Sequence, residues 1–105
     1  MQELTVQELK SMMDKKTDFQ LIDIRELHEV ETASIGGLHI PMGEVMDNLD
    51  KIAKDKPVVI HCKSGGRSGN MVNLLSSQFG FNNLYNLQGG ILAWSNQIDP
   101  SVPKY

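Results

Sequence analysis

The chain has 105 residues, of which 40% are hydrophobic and 22% charged, and a formal net charge of -3. Those values suit one domain built on one modest core and exclude a disordered or fibrous chain. The acidic balance excludes a broad nucleic-acid footprint, which needs clustered Lys and Arg, and no apolar run is long enough to span a membrane. Met1-Gln-Glu-Leu-Thr-Val has neither a basic nor a long apolar stretch, so no export signal is seen and a cytoplasmic protein is expected. A single cysteine, Cys62, excludes an internal disulfide, a C-x-x-C redox pair and a cysteine-based zinc site. No metal or other cofactor is expected, and sulfur chemistry at Cys62 has to finish on an external partner.

Along the chain, strand and helix signals alternate with short connections. Thr5-Val-Gln-Glu8 is a capping box, and Val6, Leu9, Met12 and Met13 follow at helical spacing, which predicts a helix over about Val6 to Lys15. Phe19 to Ile24 reads as a strand, and Glu26 to Glu31 as a short charged helix ended by the Ile35-Gly36-Gly37 turn. Leu38 to Ile40 is a brief strand stopped by Pro41, and a helix is predicted over Gly43 to Ile52. Val58, Val59 and Ile60 follow Pro57 as a short strand buried on both faces, running to His61. A helix over Arg67 to Phe79 is predicted to bury Met71, Val72, Leu74, Leu75 and Phe79 before Gly80 caps it. Asn83 to Leu87 is the last strand, Gly89-Gly90-Ile-Leu-Ala-Trp94 opens a final helix, and Pro100 and Pro103 mark a loose tail. The alternation predicts an α/β fold, a small and mostly parallel sheet with helices on both faces. The whole of 1–105 reads as one domain, with a core of about 4–97 and a tail over 98–105.

Cys62 stands where the central strand ends and a glycine-rich turn begins: Val59-Ile-His-Cys62-Lys-Ser-Gly-Gly-Arg67-Ser68. Open α/β sheets bind their ligands at the carboxyl ends of strands. Ser64, Gly65, Gly66 and Ser68 are small enough for the backbone to curl and aim several N–H groups at one spot, in front of a helix. Those donors, with Lys63 and Arg67 beside them, favour a thiolate at Cys62 and stabilise an anionic persulfide or a bound oxyanion equally well. Two reactions fit: transfer of sulfane sulfur, and attack on phosphate or arsenate. Cysteine phosphatases and their relatives place five residues between cysteine and arginine; Cys62 and Arg67 have four between them. The shorter loop makes a tighter cradle, better matched to one extra sulfur than to a phosphate.

The same stretch resembles the active-site loop of the rhodanese family, whose common single-domain form is Cys-basic-Ser-Gly-x-Arg-Ser. Leu21-Ile-Asp23-Ile-Arg25-Glu26 is similar to the family's Asp-Val-Arg signature, and Leu87-Gln-Gly89-Gly90-Ile-Leu-Ala-Trp94 to its closing Gly-Gly-x-x-x-Trp motif. The matches reach from about Leu4 to Trp94. The resemblance implies a rhodanese fold and thiosulfate-type sulfurtransferase activity, with Cys62 as sulfur carrier and Lys63, Ser64, Gly65, Gly66, Arg67 and Ser68 as the cradle for anion and persulfide. One segment departs from the family pattern: in Ala33-Ser34-Ile35-Gly36-Gly37-Leu38-His39-Ile40-Pro41, Ser34 replaces the usual histidine and Gly36 the usual proline. The change bears on local turn geometry and substrate access.

The mechanism expected is a double displacement. The Cys62 thiolate attacks the outer sulfur of a small anionic donor such as thiosulfate, sulfite leaves, and a thiol, a thioredoxin-like protein or another sulfur-relay protein takes the sulfur on. The short loop is expected to leave Cys62 within reach of a partner's cysteine. Lys63 steers anions or is simply solvated, and Arg67 binds the anion or braces the loop. Asp23 and Arg25 read as a structural ion pair that supports the site. Alternation turns His61 to the face opposite Cys62, which makes it a core histidine rather than a base. His28 and His39 read as surface residues, Met12, Met13, Met42, Met46 and Met71 as core filler, and Trp94 as packing between helix and sheet. Two competing functions stay open: a phosphatase or arsenate reductase, which the loop length opposes, and a non-catalytic docking or regulatory module. The apolar end near Ile98 to Tyr105 is a candidate pairing surface.

Overall fold

A computed structural model describes all 105 residues. The β-branched run after Pro57 forms the central strand of a five-stranded sheet, whose strands are β1 (Glu3–Leu4), β2 (Gln20–Asp23), β3 (Leu38–His39), β4 (Val58–His61) and β5 (Leu84–Leu87). Their order is β1-β5-β4-β2-β3 and all four pairings are parallel. The helices are α1 (Val6–Asp14), α2 (Leu27–Thr32), α3 (Gly66–Phe79) and α4 (Gly90–Gln97). The predicted α/β architecture is the one observed, and every strand but β1 was visible as a sequence pattern.

β2 and β4 run in register, Leu21 beside Val59, Ile22 beside Ile60 and Asp23 beside His61. Alternation then sorts the side chains into two cores. Ile22, Val58, Ile60 and Cys62 pack with Met71, Val72 and Leu75 of α3 and with Val45. Leu21 and Val59 pack with Val6 and Leu9 of α1 and Ile91 and Trp94 of α4. Cys62 therefore belongs to one face and His61 to the other, as the alternation of β4 requires.

Local signals fix several element ends. The Thr5 hydroxyl accepts the Glu8 N–H at 3.1 Å while the Glu8 carboxylate accepts the Thr5 N–H at 3.0 Å, so the capping box starts α1 as read. The unusual 33–37 segment makes its own turn: Ser34 Oγ accepts the Gly36 N–H at 3.0 Å. At Gly37, which has φ of +90°, a Cβ would meet the Leu21 carbonyl oxygen at 2.7 Å. Only glycine lets this turn lie against β2.

Several expectations need correction. The helix predicted over Gly43 to Ile52 is a 3₁₀ segment, Met42–Lys51, broken at Asn48, and Met46 on it is exposed rather than core filler. Leu74 and Phe79 are exposed as well. The buried stripe of α3 is Ser68, Gly69, Met71, Val72 and Leu75, which Leu74 misses; the left-handed Gly80 reverses the chain so that Phe81 enters the core where Phe79 was expected. His39 is half-buried rather than freely exposed, its Nε2 lying 2.6 Å from the Arg25 carbonyl oxygen. The residues after α4 are not loose either. Val102 is buried against Trp94, its carbonyl accepts the Ser95 hydroxyl at 2.6 Å, and Tyr105 reaches back to Arg25 and Glu29. No helix is long and apolar enough to cross a membrane.

Candidate active site

The turn after β4 wraps around the Cys62 sulfur. Sγ accepts the Gly65 N–H at 3.2 Å, the Ser68 N–H at 3.4 Å and the Ser68 hydroxyl at 3.3 Å. Burial raises the thiol pKa, but hydrogen bonds from the Ser68 hydroxyl and from the N–H groups of Ser68, Gly65 and Ser64 outweigh it and hold the thiol below its ordinary range. The group is set to ionise. Cys62 is only 1% exposed, so the sulfur is less open than the short loop suggested.

The loop is clamped from the side of α4. Ile91 N–H donates to the Cys62 carbonyl at 3.0 Å and Leu92 N–H to the Lys63 carbonyl at 3.1 Å. That contact requires glycine at position 90. A Cβ on Gly90, at φ of +60°, would lie 2.5 Å from the Lys63 carbonyl oxygen and 2.6 Å from that of Cys62.

The two cations of the loop differ in role: Arg67 is a brace and Lys63 lies over an aromatic ring. Arg67 gives its guanidinium to Glu29 in a two-pronged pair, Nη1 to Oε1 at 2.8 Å and Nη2 to Oε2 at 2.9 Å, which ties the loop to α2. Glu29 Oε2 also accepts the Tyr105 hydroxyl at 2.7 Å. Arg67 is the chief reason the Glu29 carboxyl is held far below the usual carboxylate range. Lys63, next to the nucleophile, extends its Nζ over the Tyr105 ring, 4.6 Å from the centroid. Ser64 and Gly66 are exposed on the outer curve of the turn.

Behind the loop, Asp23 and Arg25 form the buried ion pair that was expected, with Arg25 Nη2 2.7 Å from Asp23 Oδ2. Every guanidinium N–H is used: Nε and Nη2 on Asp23, Nη2 on the Ala33 carbonyl, Nη1 on the Tyr105 hydroxyl and the Glu29 carbonyl. Burial disfavours the charges, and the pair's own hydrogen bonds keep both ionised: Asp23 is held low and Arg25 high. His61 lies beneath, its Nε2 3.6 Å from Asp23 and without a hydrogen-bond partner; burial pushes its pKa down, so it is a neutral core residue.

Three residues of the site had not been singled out. Glu29 had appeared only as one charge among several on a short helix. Asn86, 3% exposed, places its amide between Ser68 and Gly65. Its signal was a polar residue inside an apolar strand, where asparagine is disfavoured. Tyr105 had no sequence signal, because its partners are far away in the chain.

A family model described as Rhodanese-like domain matches residues 5–97. The chain belongs to this family. It is 35% identical over 101 residues to a protein named sulfurtransferase from Allochromatium vinosum, covering 95% of this chain and 94% of that one. It is also 40% identical over 111 residues to the rhodanese-like/PpiC domain-containing protein 12, chloroplastic, of Arabidopsis thaliana; 98% of this chain is covered, but only 37% of that longer protein. Among solved structures, a rhodanese-related protein from Thermoplasma volcanium superposes with a TM-score of 0.80 at 27% identity, covering 98% of this chain and 96% of that one.

Proposed function

We propose that this protein is a sulfurtransferase that carries sulfane sulfur as a persulfide on Cys62, taking it from thiosulfate or a related small anionic donor. The observation that carries the reading is the shape of the cradle. Three donors converge on one sulfur atom, while the guanidinium that a phosphate-binding loop would turn toward its ligand is held by Glu29. Both features favour sulfur over a tetrahedral oxyanion, and the family membership and the name of the relative matched over 94% of its length point the same way.

In the first step the Cys62 thiolate attacks the outer sulfur of thiosulfate. A bond forms from Sγ to that sulfur, the S–S bond of thiosulfate breaks, and its electron pair leaves with sulfite. Sulfite leaves as an anion and needs no general acid, consistent with a neutral His61 on the far face of β4. The terminal sulfur of the resulting Cys-S-S⁻ stays within reach of the loop N–H groups, which stabilise its charge. In the second step an external thiolate, on a small thiol, a thioredoxin-like protein or a sulfur-relay protein, attacks that terminal sulfur. A new S–S bond forms on the acceptor and Cys62 departs as thiolate; cyanide takes the sulfur in the same way as thiocyanate. Lys63 supplies the positive field that draws the donor in, and Arg67, Asp23 and Arg25 hold the loop and its footing in place.

Intact mass after thiosulfate treatment tests the reading. A gain of one sulfur atom is expected, absent in Cys62→Ser and reversed by a reducing thiol. An unchanged mass in the wild-type protein would remove thiosulfate transfer from consideration.

A further inference from the structure

The geometry points to Asn86 as a positioning residue that sets the acidity of Cys62 through the Ser68 hydroxyl. The orientation of its side-chain amide is fixed by its partners. Nδ2 lies 3.2 Å from the Gly65 carbonyl oxygen and 3.3 Å from Glu3 Oε2, both of which only accept hydrogen bonds. Oδ1 therefore faces Ser68 Oγ, at 2.5 Å. A hydroxyl has one proton to give, and here it has two acceptors, Asn86 Oδ1 and the sulfur at 3.3 Å.

The two protonation states of Cys62 use this hydroxyl differently. With the thiol, S–H donates to Ser68 Oγ and Ser68 donates to Asn86 Oδ1, so every group in the chain is satisfied. With the thiolate, Ser68 either turns its proton to the sulfur and leaves the buried Oδ1 unpaired, or keeps it on Asn86 and gives the charge nothing. Both alternatives carry a cost, because an unpaired buried acceptor loses its solvation without replacement. Asn86 thus works against the N–H groups of Gly65 and Ser68, which favour the thiolate. In the sulfur-loaded state Sγ is an uncharged bridging atom that asks for no third donor, so the Ser68–Asn86 bond stands undisturbed. Resting on the persulfide reading above, this second consequence makes Asn86 a bias toward the loaded carrier.

The charged groups around the sulfur are unaltered by changes at Asn86. Arg67 stays on Glu29, Lys63 over Tyr105, and Asp23, Arg25 and His61 lie on the opposite face of the strand. Glu3 loses one donor and stays exposed to solvent.

The test is the titration of Cys62, followed as thiolate absorbance and as alkylation rate against pH, in wild type, Asn86→Ala, Ser68→Ala and the double variant. Asn86→Ala frees the Ser68 hydroxyl for the sulfur and lowers the midpoint by about one pH unit, roughly tenfold more thiolate at any pH below it. Ser68→Ala raises the midpoint, and adding Asn86→Ala to it changes nothing further. No shift in Asn86→Ala, an upward shift, or an equal shift in both backgrounds would overturn the assignment. The wild-type protein offers a second readout that no folding defect can confound. The Asn86 side-chain amide resonances move with pH at the midpoint of Cys62, and resonances that stay fixed through that midpoint would equally overturn it. Thiol titration does not depend on sulfur transfer, so a missing persulfide and a missing Asn86 effect are separate results.

Discussion

Replacing Gly90 by alanine tests whether the approach of α4 builds the site. Two contributions add. A non-glycine residue in the left-handed region costs about 1 kcal/mol. The new Cβ at 2.5 and 2.6 Å from two backbone oxygens also forces α4 and the loop apart, weakening the Ile91–Cys62 and Leu92–Lys63 hydrogen bonds, at about 1 kcal/mol each. The sum, about 3 kcal/mol, is a large share of the 5–15 kcal/mol by which domains are commonly stable, so the variant should fold but melt roughly 12–24 °C lower. Gly43→Ala is the control, because a Cβ there meets nothing within 4 Å. Urea denaturation gives the stability difference, and the alkylation rate of Cys62 at neutral pH reports the cradle, which should react more slowly once its donors are displaced. If Gly90→Ala matches Gly43→Ala within about 0.5 kcal/mol and alkylates at the wild-type rate, the clamp is not what shapes the loop.

Other outcomes follow from the same geometry. The Glu29 carboxyl is held well below its ordinary value of 4.5, so its stabilising effect is complete above that pH and fades as the pH falls through the lower folded-state value. Glu29→Gln should cost about 1 kcal/mol at neutral pH, discounted for the partly exposed Arg67, and lose less stability than wild type in urea melts carried below pH 4.5. Lys63→Gln should raise KM for thiosulfate several-fold with little change in kcat, and should flatten the dependence of kcat/KM on ionic strength. Val102→Ala removes two buried methyl groups and should destabilise by about 2 kcal/mol in the same melts, whereas a tail merely resting on the surface would give no change.

What could be read from the sequence was what neighbouring residues decide. The capping box needs only Thr5 and Glu8, the cradle only the run from Cys62 to Ser68, and alternation alone turned His61 away from the sulfur. Misreadings came where a distant partner overrides a local pattern. Phe79 fits the helical stripe, yet the chain reversal at Gly80 gives its place to Phe81. Pro100 and Pro103 suggest a frayed end, yet Val102 and Tyr105 between and beyond them find Trp94, Arg25 and Glu29. For Arg67 the sequence leaves both an anion contact and a loop brace open, and only the distant Glu29 on α2 shows the brace. β1 leaves almost no pattern in its two residues, since the pairing that defines it lies elsewhere.

That first strand has a kinetic consequence. Asn86 N–H donates to the Gln2 carbonyl and Gln88 N–H to that of Leu4, so the edge of the sheet is closed by residues from opposite ends of the chain. A ribosome has released the segment of β1 long before β5 exists, and the early strand must wait unpaired. Parallel pairings of such long range close slowly, because the entropy of the intervening loop is lost before any contact compensates it. The same late event brings Glu3 to Asn86 and sets the buried amide behind Cys62. The acidity of Cys62 should therefore fall in the last phase of refolding, as Asn86 comes to compete with the sulfur for the Ser68 proton, which makes the cysteine a built-in reporter of when the sheet is complete.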